Sequence, residues 1–443
     1  MQGRGAGRVG ARQLLAFGAR RALVTLLTVL CASVAAGPGV ASAQAAPLSI
    51  SIVGNRFVDA SGQPIRLLGV DREGTEYACV KGTGYAPGPL DASEAAAIAG
   101  WHANAVRIPI NEDCWLGING LPAFGSAEGY QQAIENYVAD LNAVGIYAIL
   151  DLQWTAPGTD PAVGLGAMPD DHSVALWQSL AAAFLGDPGV VFDAFNEPYP
   201  GGIKNPDAYW SCWRDGGCAL SYHPGTVTPT PYTAVGMQAL VDAIRSTGAT
   251  QPILLSGLAH ANDLKGWLAY MPFDPDGQLA ASIHIYASDP CKTTTCWDST
   301  VAPVAAVVPV TVAEFGAKNC QPTLDDNVMQ WSDSYGIGYL GWAWYLASAT
   351  CHGLALISDW SGTPRAPNGT ALYDHLSALA VTGPGVPLQQ PDGLPVLGGA
   401  VEPREQLAEH PAVIGGPREQ RRARAQLQRV DGAEHPLGGR LAG

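Results

Sequence analysis

Charge is what this sequence has least of. Only 14% of its 443 residues are charged, and the basic ones are scarcer, 24 Lys and Arg against 39 Asp and Glu, for a net charge of -15. A chain so poor in cations lacks the footprint that nucleic-acid phosphates or an anionic membrane surface demand, and a neutral or cationic ligand suits it better. Other absences narrow the choice. No Gly-rich phosphate fingerprint follows any apolar run, which speaks against a bound nucleotide. There is no Gly-x-Ser-x-Gly elbow for a serine hydrolase. No Cys-x-x-Cys pair or His partner stands at zinc spacing. Neither a cofactor nor a metal is expected.

What is abundant is apolar: 47% of the chain is hydrophobic, enough for a large core. Arg12, Arg20 and Arg21 precede the apolar stretch Ala22 to Ala36, which is too short to span a bilayer and reads as an export signal. Ala41-Ser42-Ala43 or Ala43-Gln44-Ala45 would be the cleavage site, and the Arg20-Arg21 pair hints at a twin-arginine route. The expected product is a secreted, soluble, monomeric protein without a membrane anchor. Removing residues 1–45 removes Cys31 and leaves eight cysteines, an even number in an oxidising compartment. Cys212 with Cys218 and Cys291 with Cys296 are close enough to staple single loops.

Residues 48 to 70 read as a β-hairpin feeding a first core strand, Ile65 to Val70. Seven further apolar runs follow: Ala105 to Ile110, Tyr147 to Leu152, Val190 to Phe195, Ile253 to Leu258, Ala281 to Tyr286, Val310 to Phe315 and Tyr339 to Trp344. Helical periodicity separates them, with Tyr130, Ile134, Tyr137, Val138 and Leu141 on one face, and Val235, Leu240 and Ile244 on another. Eight strand-helix units predict an α/β fold, the (β/α)8 TIM barrel, over residues 46–382. From residue 383 the chain is rich in Gly, Pro, Arg and Glu and has no aromatic, so 383–443 reads as a disordered tail with a short helix between Arg418 and Val430. Asn368-Gly369-Thr370 fits a glycosylation sequon but reads as a turn.

Chemistry in such a barrel sits at the carboxyl ends of the strands. Those ends collect Arg107, Asp151 with Gln153, Asn196 with Glu197, His284 with Tyr286, Glu314, and Trp342 or Trp344. Cys79 and Cys114 would join the loops after strands one and two, and Cys320 and Cys351 those after strands seven and eight. Glutamates at the ends of strands four and seven suit retaining glycoside hydrolysis, in which one carboxyl protonates the leaving oxygen and the other attacks the anomeric carbon. Glu197, shielded by Pro198 and the apolar run before it, is the expected acid, with a raised pKa. Glu314 is the expected nucleophile, kept ionised by Arg107 and oriented by the Tyr286 hydroxyl. Asn196 could bind the sugar 2-hydroxyl. Trp115, Trp154, Trp344, Tyr199, Tyr209, Trp210 and Trp213 are candidate platforms for sugar rings. Trp342 and Trp344 read as alternating, one towards the core and one towards the cleft.

Asn196-Glu197-Pro198, Glu314-Phe315-Gly316, the Arg107 strand, His284-x-Tyr286 and the Trp344 strand together resemble glycoside hydrolase family 5, the cellulase family, over about residues 48 to 382. The resemblance implies a (β/α)8 barrel, double displacement and no cofactor. It places the acid/base at Glu197 and the nucleophile at Glu314, with Arg107, Asn196, His284, Tyr286 and Trp344 in support. The chain departs from the pattern at Gln153, where the family usually has His; Gln can hydrogen-bond but cannot carry a proton charge. The expected activity is a secreted endo-1,4-β-glucanase acting on polysaccharide. A β-mannanase on the same scaffold and a sugar-binding barrel without activity are the alternatives.

Overall fold

The computed structural model describes residues 48–223, 229–318, 321–347 and 354–382. The expected export signal, the tail from 383 and the Cys320–Cys351 pairing lie outside the described residues. Three short strands, β1 (Ile50–Val53), β2 (Arg56–Asp59) and β3 (Pro64–Ile65), form an antiparallel sheet that includes the expected hairpin. Then come β4 (Leu68–Asp71), β5 (Ala105–Asn111), β6 (Tyr147–Trp154) and β7 (Val190–Asp193). An excursion through β8 (Gly216–Tyr222) and β9 (Thr230–Val235), paired antiparallel outside the barrel, precedes β10 (Ile253–Ser256), β11 (Leu279–Tyr286), β12 (Val310–Gly316) and β13 (Gly338–Gly341). Strands β4 to β7 and β10 to β13 are parallel and in sequence order, and β13 pairs with β4 to close the ring. This is the (β/α)8 barrel that eight buried apolar runs call for, since strands covered on both faces carry no polar alternation.

The helices between strands face the barrel as their periodicity requires. Helix Ala127–Ala143 buries the five residues Tyr130, Ile134, Tyr137, Val138 and Leu141, and Ser126 caps it by accepting the Gly129 N–H at 3.1 Å. Helix Met237–Ser246 buries Leu240 and Ile244, whereas Val235 belongs to β9. No helix among the described residues is long and apolar enough to cross a membrane. Disulfides join Cys79 to Cys114, Cys212 to Cys218 and Cys291 to Cys296, as expected.

Two-residue periodicity organises the barrel's interior. Leu67, Ala105, Ile149, Val191, Leu254, Ala280 and Leu340 pack together at the amino ends of the strands, and Ile50, Ile52 and Phe57 of the hairpin plug them from below. The Gln278 side chain fastens that plug, accepting from the Ile52 N–H at 2.6 Å and donating to its carbonyl at 3.1 Å. Because successive side chains alternate, residues two and four further on face the same interior. Those are Arg107, Asp151, Gln153, Asp193, His284 and Trp342. Gly69 has no room for a side chain, since a Cβ there would fall 1.8 Å from the Ala105 carbonyl oxygen.

Three local expectations need correction. The strand expected over Val190 to Phe195 ends at Asp193, where the Ala194 carbonyl accepts from Trp177 Nε1 at 2.9 Å. The last strand stops at Gly341, where Ala343 bonds instead to the Leu354 carbonyl at 2.8 Å. The sequon Asn368 opens a helix rather than a turn; its side chain is buried and donates to the Ala317 carbonyl at 2.7 Å, which leaves no room for a glycan.

Candidate active site

At the mouth, Arg107 is wholly buried and every other group is arranged around it. Its guanidinium reaches Asp193 Oδ2 at 2.8 Å, Asp71 Oδ1 at 3.2 Å, Glu314 Oε1 at 2.7 Å and Asn196 Oδ1 at 2.8 Å. Asp151 Oδ1 stands 2.9 Å away, at ion-pair distance though outside hydrogen-bond geometry. Burial opposes the charge on Arg107, but the four carboxylates outweigh it and hold the group protonated. One cation cannot neutralise four anions. Burial accordingly pushes Asp71, Asp151 and Asp193 upward against the pull of Arg107, towards the neutral form.

Glu314 projects from β12 and is fixed at both oxygens. Arg107 holds Oε1, and the Tyr286 hydroxyl donates to Oε2 at 2.5 Å. Burial and the adjacent Glu314 raise the Tyr286 pKa well above its ordinary value, so the hydroxyl keeps its proton. Glu197 follows β7 and is more open, its side chain 16% exposed against 4% for Glu314. His284 bridges the two: Nδ1 lies 3.1 Å from Glu197 Oε1 and 3.5 Å from Glu314 Oε2. An oxygen of each glutamate and the His284 nitrogen all fall within 4.8 Å of one another.

The electrostatic order of the pair is the reverse of expectation. Burial would raise Glu197, but hydrogen bonds from His260 and His284, and their charge, overcome it and bring the pKa down to about 2. Burial raises Glu314, with Glu197 adding to it, against the pull of His284 and Arg107. The shield supplied by Pro198 and the apolar run is real, but the sequence places His284 at the mouth without its contact to Glu197, and does not place His260 there at all. Two carboxyls this close titrate as a coupled pair rather than one by one.

A cleft of about 630 Å³ opens above these groups, lined among others by Gln153, Asn196, Glu197, His260, Tyr286, Glu314 and Trp342. Among the described residues Asn196 Nδ2 and Gln153 Oε1 are buried without a hydrogen-bond partner, one donor and one acceptor available to a ligand's hydroxyls. Trp344 is not in the cleft. It is fully buried with its ring 5.0 Å from Trp101, and Trp342 takes the cleft position. The expected alternation is not what separates them, since residues two apart on a strand share a face; they part because β13 has ended at Gly341. Trp154 is half-buried, its ring 6.3 Å from Tyr77. Trp115, Trp210 and Trp213 are core residues rather than platforms, Tyr209 is half-buried, and Tyr199 is 44% exposed.

Sequence reading missed Asp71, Asp193 and His260. The first two left a signal, an acid closing an apolar strand where charges are rarely buried unpaired. His260 left none. Acids also gather with His172 at Glu112, Asp113 and Asp170, where burial and then the neighbouring Asp170 push the Glu112 carboxyl well above its ordinary range.

Comparison with known proteins agrees with this construction. Residues 58–348 match the model of the cellulase family, glycosyl hydrolase family 5. A mannan endo-1,4-β-mannosidase from Streptomyces lividans is 23% identical over 318 residues, 70% of this chain and 69% of that protein. A β-glucanase from Saccharophagus degradans, also solved in complex with cellotetraose, superimposes with a TM-score of 0.56 at 20% identity, covering 75% of this chain and 94% of its own. The catalytic domain of a mannanase from Streptomyces sp. SirexAA-E gives a TM-score of 0.54 at 20% identity over 75% and 92% of the two chains. At such identities the structural likenesses speak for the fold alone, whereas the family model spans well over half of the sequence. The chain belongs to glycosyl hydrolase family 5 and is a glycoside hydrolase on a (β/α)8 barrel.

Proposed function

We propose that this protein is a secreted, retaining β-glycanase that cleaves β-1,4-linked polysaccharide by double displacement, with β-glucan as its first substrate. The observation that carries the reading is the approach of Glu197 and Glu314, with oxygens within 4.8 Å of one another across the cleft. Retaining enzymes hold their two carboxyls about 5–5.5 Å apart, whereas inverting enzymes leave space for a water between them.

In the first step a Glu314 oxygen bonds to the anomeric carbon while the glycosidic oxygen takes a proton from Glu197 and departs. Arg107 and Tyr286 aim the nucleophile and bear its charge until the ester forms. In the second step Glu197, now a carboxylate, takes a proton from water as that water attacks the anomeric carbon and frees Glu314. The greater exposure of Glu197 suits the member of the pair that must meet water. Asn196 Nδ2, held by Arg107 through its own oxygen, would donate to the sugar hydroxyl beside the reacting carbon. Active molecules are those in which the pair carries one proton, so kcat/KM should fall on both sides of a window set by the pair.

The Streptomyces lividans relative favours β-mannan as the second reading. Export is supported by the signal-like segment before residue 46 and by three disulfides among the described residues. The test is sugar release from carboxymethylcellulose, lichenan, mannan and xylan, with proton NMR of the first-formed anomer. Release of β-configured product from glucan is expected. An α-configured first product would overturn the mechanism, preference for mannan would move the substrate, and inertness on all four beside an equally inert Glu314→Gln variant would leave only a binding protein.

A further inference from the structure

After β10 the chain makes a turn that L-residues avoid. Ala259, His260 and Ala261 have φ of 57°, 57° and 58°, three consecutive side chains in left-handed helical geometry. Side chains disfavour this region, and the conformation persists only where its surroundings leave no alternative. Here they leave none. The Asn262 side chain donates to the His284 carbonyl at 2.8 Å and accepts from the Cys291 N–H at 2.8 Å, while Leu258 and Asp263 exchange backbone bonds at 3.0 and 2.9 Å. The turn delivers one functional group. The His260 imidazole lies flat on the Tyr199 ring, centroids 4.3 Å apart and planes 14° apart, and its Nδ1 stands 3.5 Å from Glu197 Oε2. The backbone N–H of His260 donates to the Pro198 carbonyl at 3.3 Å, so backbone and ring both grip the segment that carries Glu197.

Glu197 is therefore held between two imidazoles, His284 on Oε1 and His260 on Oε2. They are not equivalent. His284 is wholly buried and also contacts Glu314, whereas the His260 side chain is 55% exposed in the cleft and of the two glutamates contacts Glu197 alone. We propose that His260 is a positioning residue for Glu197, orienting its carboxyl and setting its strength as an acid towards the leaving group. The inference rests on the reading of Glu197 as the acid/base. As Glu197 gives its proton to the departing oxygen it becomes a carboxylate, and the adjacent imidazole nitrogen stabilises that charge. When Glu197 recovers a proton from water in the second step, the same contact holds it in place. The other titratable groups facing this assembly are Asp289, which acts on both His260 and Glu197, Tyr286, which faces Glu197, and Tyr209, whose hydroxyl bonds to Ala259. Attraction to Glu197 raises the pKa of His260, in keeping with the contact.

The test uses the full-length protein and two variants. His260→Asn removes the imidazole but accepts left-handed backbone, and His260→Phe keeps the ring on Tyr199 without its nitrogens. Aryl β-glycosides with a poor (phenol) and a good (2,4-dinitrophenol) leaving group separate acid catalysis from everything else, because the good one departs unaided. Both variants should lose roughly tenfold in kcat/KM on the phenyl glycoside and less than about twofold on the dinitrophenyl one, a fraction of what general acids contribute. The basic limb of the phenyl profile should move up by about one pH unit, since an interaction favouring the Glu197 carboxylate has gone. In NMR titrations the His260 ring should protonate at lower pH in a Glu197→Gln variant than in the wild type. Equal losses on both leaving groups, no loss on either, or an unchanged His260 titration would each overturn the proposal. A wild type inert towards the whole series would instead sink the hydrolase reading beneath it.

Discussion

The floor and the mouth of the barrel are built by the same eight strands, on the same interior face, and share almost no chemistry. At the floor, Ala105, Ile149, Val191 and Leu254 meet the hairpin through apolar contact. Two residues further along three of those strands stand Arg107, Asp151 and Asp193, equally buried and bound by charge. Apolar burial is non-directional, so the floor depends on volume and little else. A buried charge needs a partner, so in the mouth the removal of the one cation exposes the cost of the carboxylates around it. The structure separates stability from reactivity along the barrel axis, and the alternation of a strand keeps the two in register.

Five substitutions would break or sharpen that contrast. The largest effect belongs to Glu314→Gln, which should lower kcat at least about 10⁴-fold. Because the amide keeps the shape and relieves a buried acid, its thermal midpoint should match or exceed the wild type, as calorimetry would show. A large loss of stability would mean that Glu314 belongs to the scaffold. Next is Arg107→Met, expected to cost about 3–5 kcal/mol at neutral pH and to abolish most activity. Asp71, Asp151 and Asp193 would then lose the charge opposing their burial, and their folded-state pKa values would climb further above the unfolded ones. A raised carboxyl burdens the folded state only where the unfolded chain has ionised. The cost should therefore shrink near about pH 4 and grow as pH rises. Urea midpoints at acid and neutral pH decide it, and a pH-independent loss would refute the account.

At the floor, Phe57→Ala should cost about 3–5 kcal/mol while leaving kcat per folded molecule unchanged. A drop in kcat well below the melting transition would show that floor and mouth are coupled. The smallest and sharpest test pairs Trp342→Ala with Trp344→Phe. The first should raise KM and lower kcat with little change in melting. The second should cost less than the about 3–5 kcal/mol of a full Trp truncation and leave kinetics within about twofold. Reversed behaviour would return Trp344 to the substrate.

Much of this was legible beforehand because the barrel writes itself in simple periods. Eight apolar runs separated by helical faces specify the architecture, and polar residues closing those runs mark the mouth, which is how Arg107, Asn196, Glu197, His284, Tyr286 and Glu314 were found. Failures came where a strand stopped. The early end of β13 sent Trp342 and Trp344 to different places, and long-loop aromatics such as Trp210 and Trp213 turned inward to pack each other at 5.3 Å. Burial of a loop aromatic depends on which element crosses it, and spacing carries no trace of that.

The sequence by itself determined the order of the strands, the side of the barrel on which polar groups collect and the two glutamates that the proposed chemistry needs, because each follows from local periodicity. Only the tertiary structure decided the electrical state of those glutamates. A carboxyl's proton affinity is fixed by whatever lies within a few ångströms of it, and for Glu197 that includes His260, brought from 63 positions away by a left-handed turn no local pattern announces.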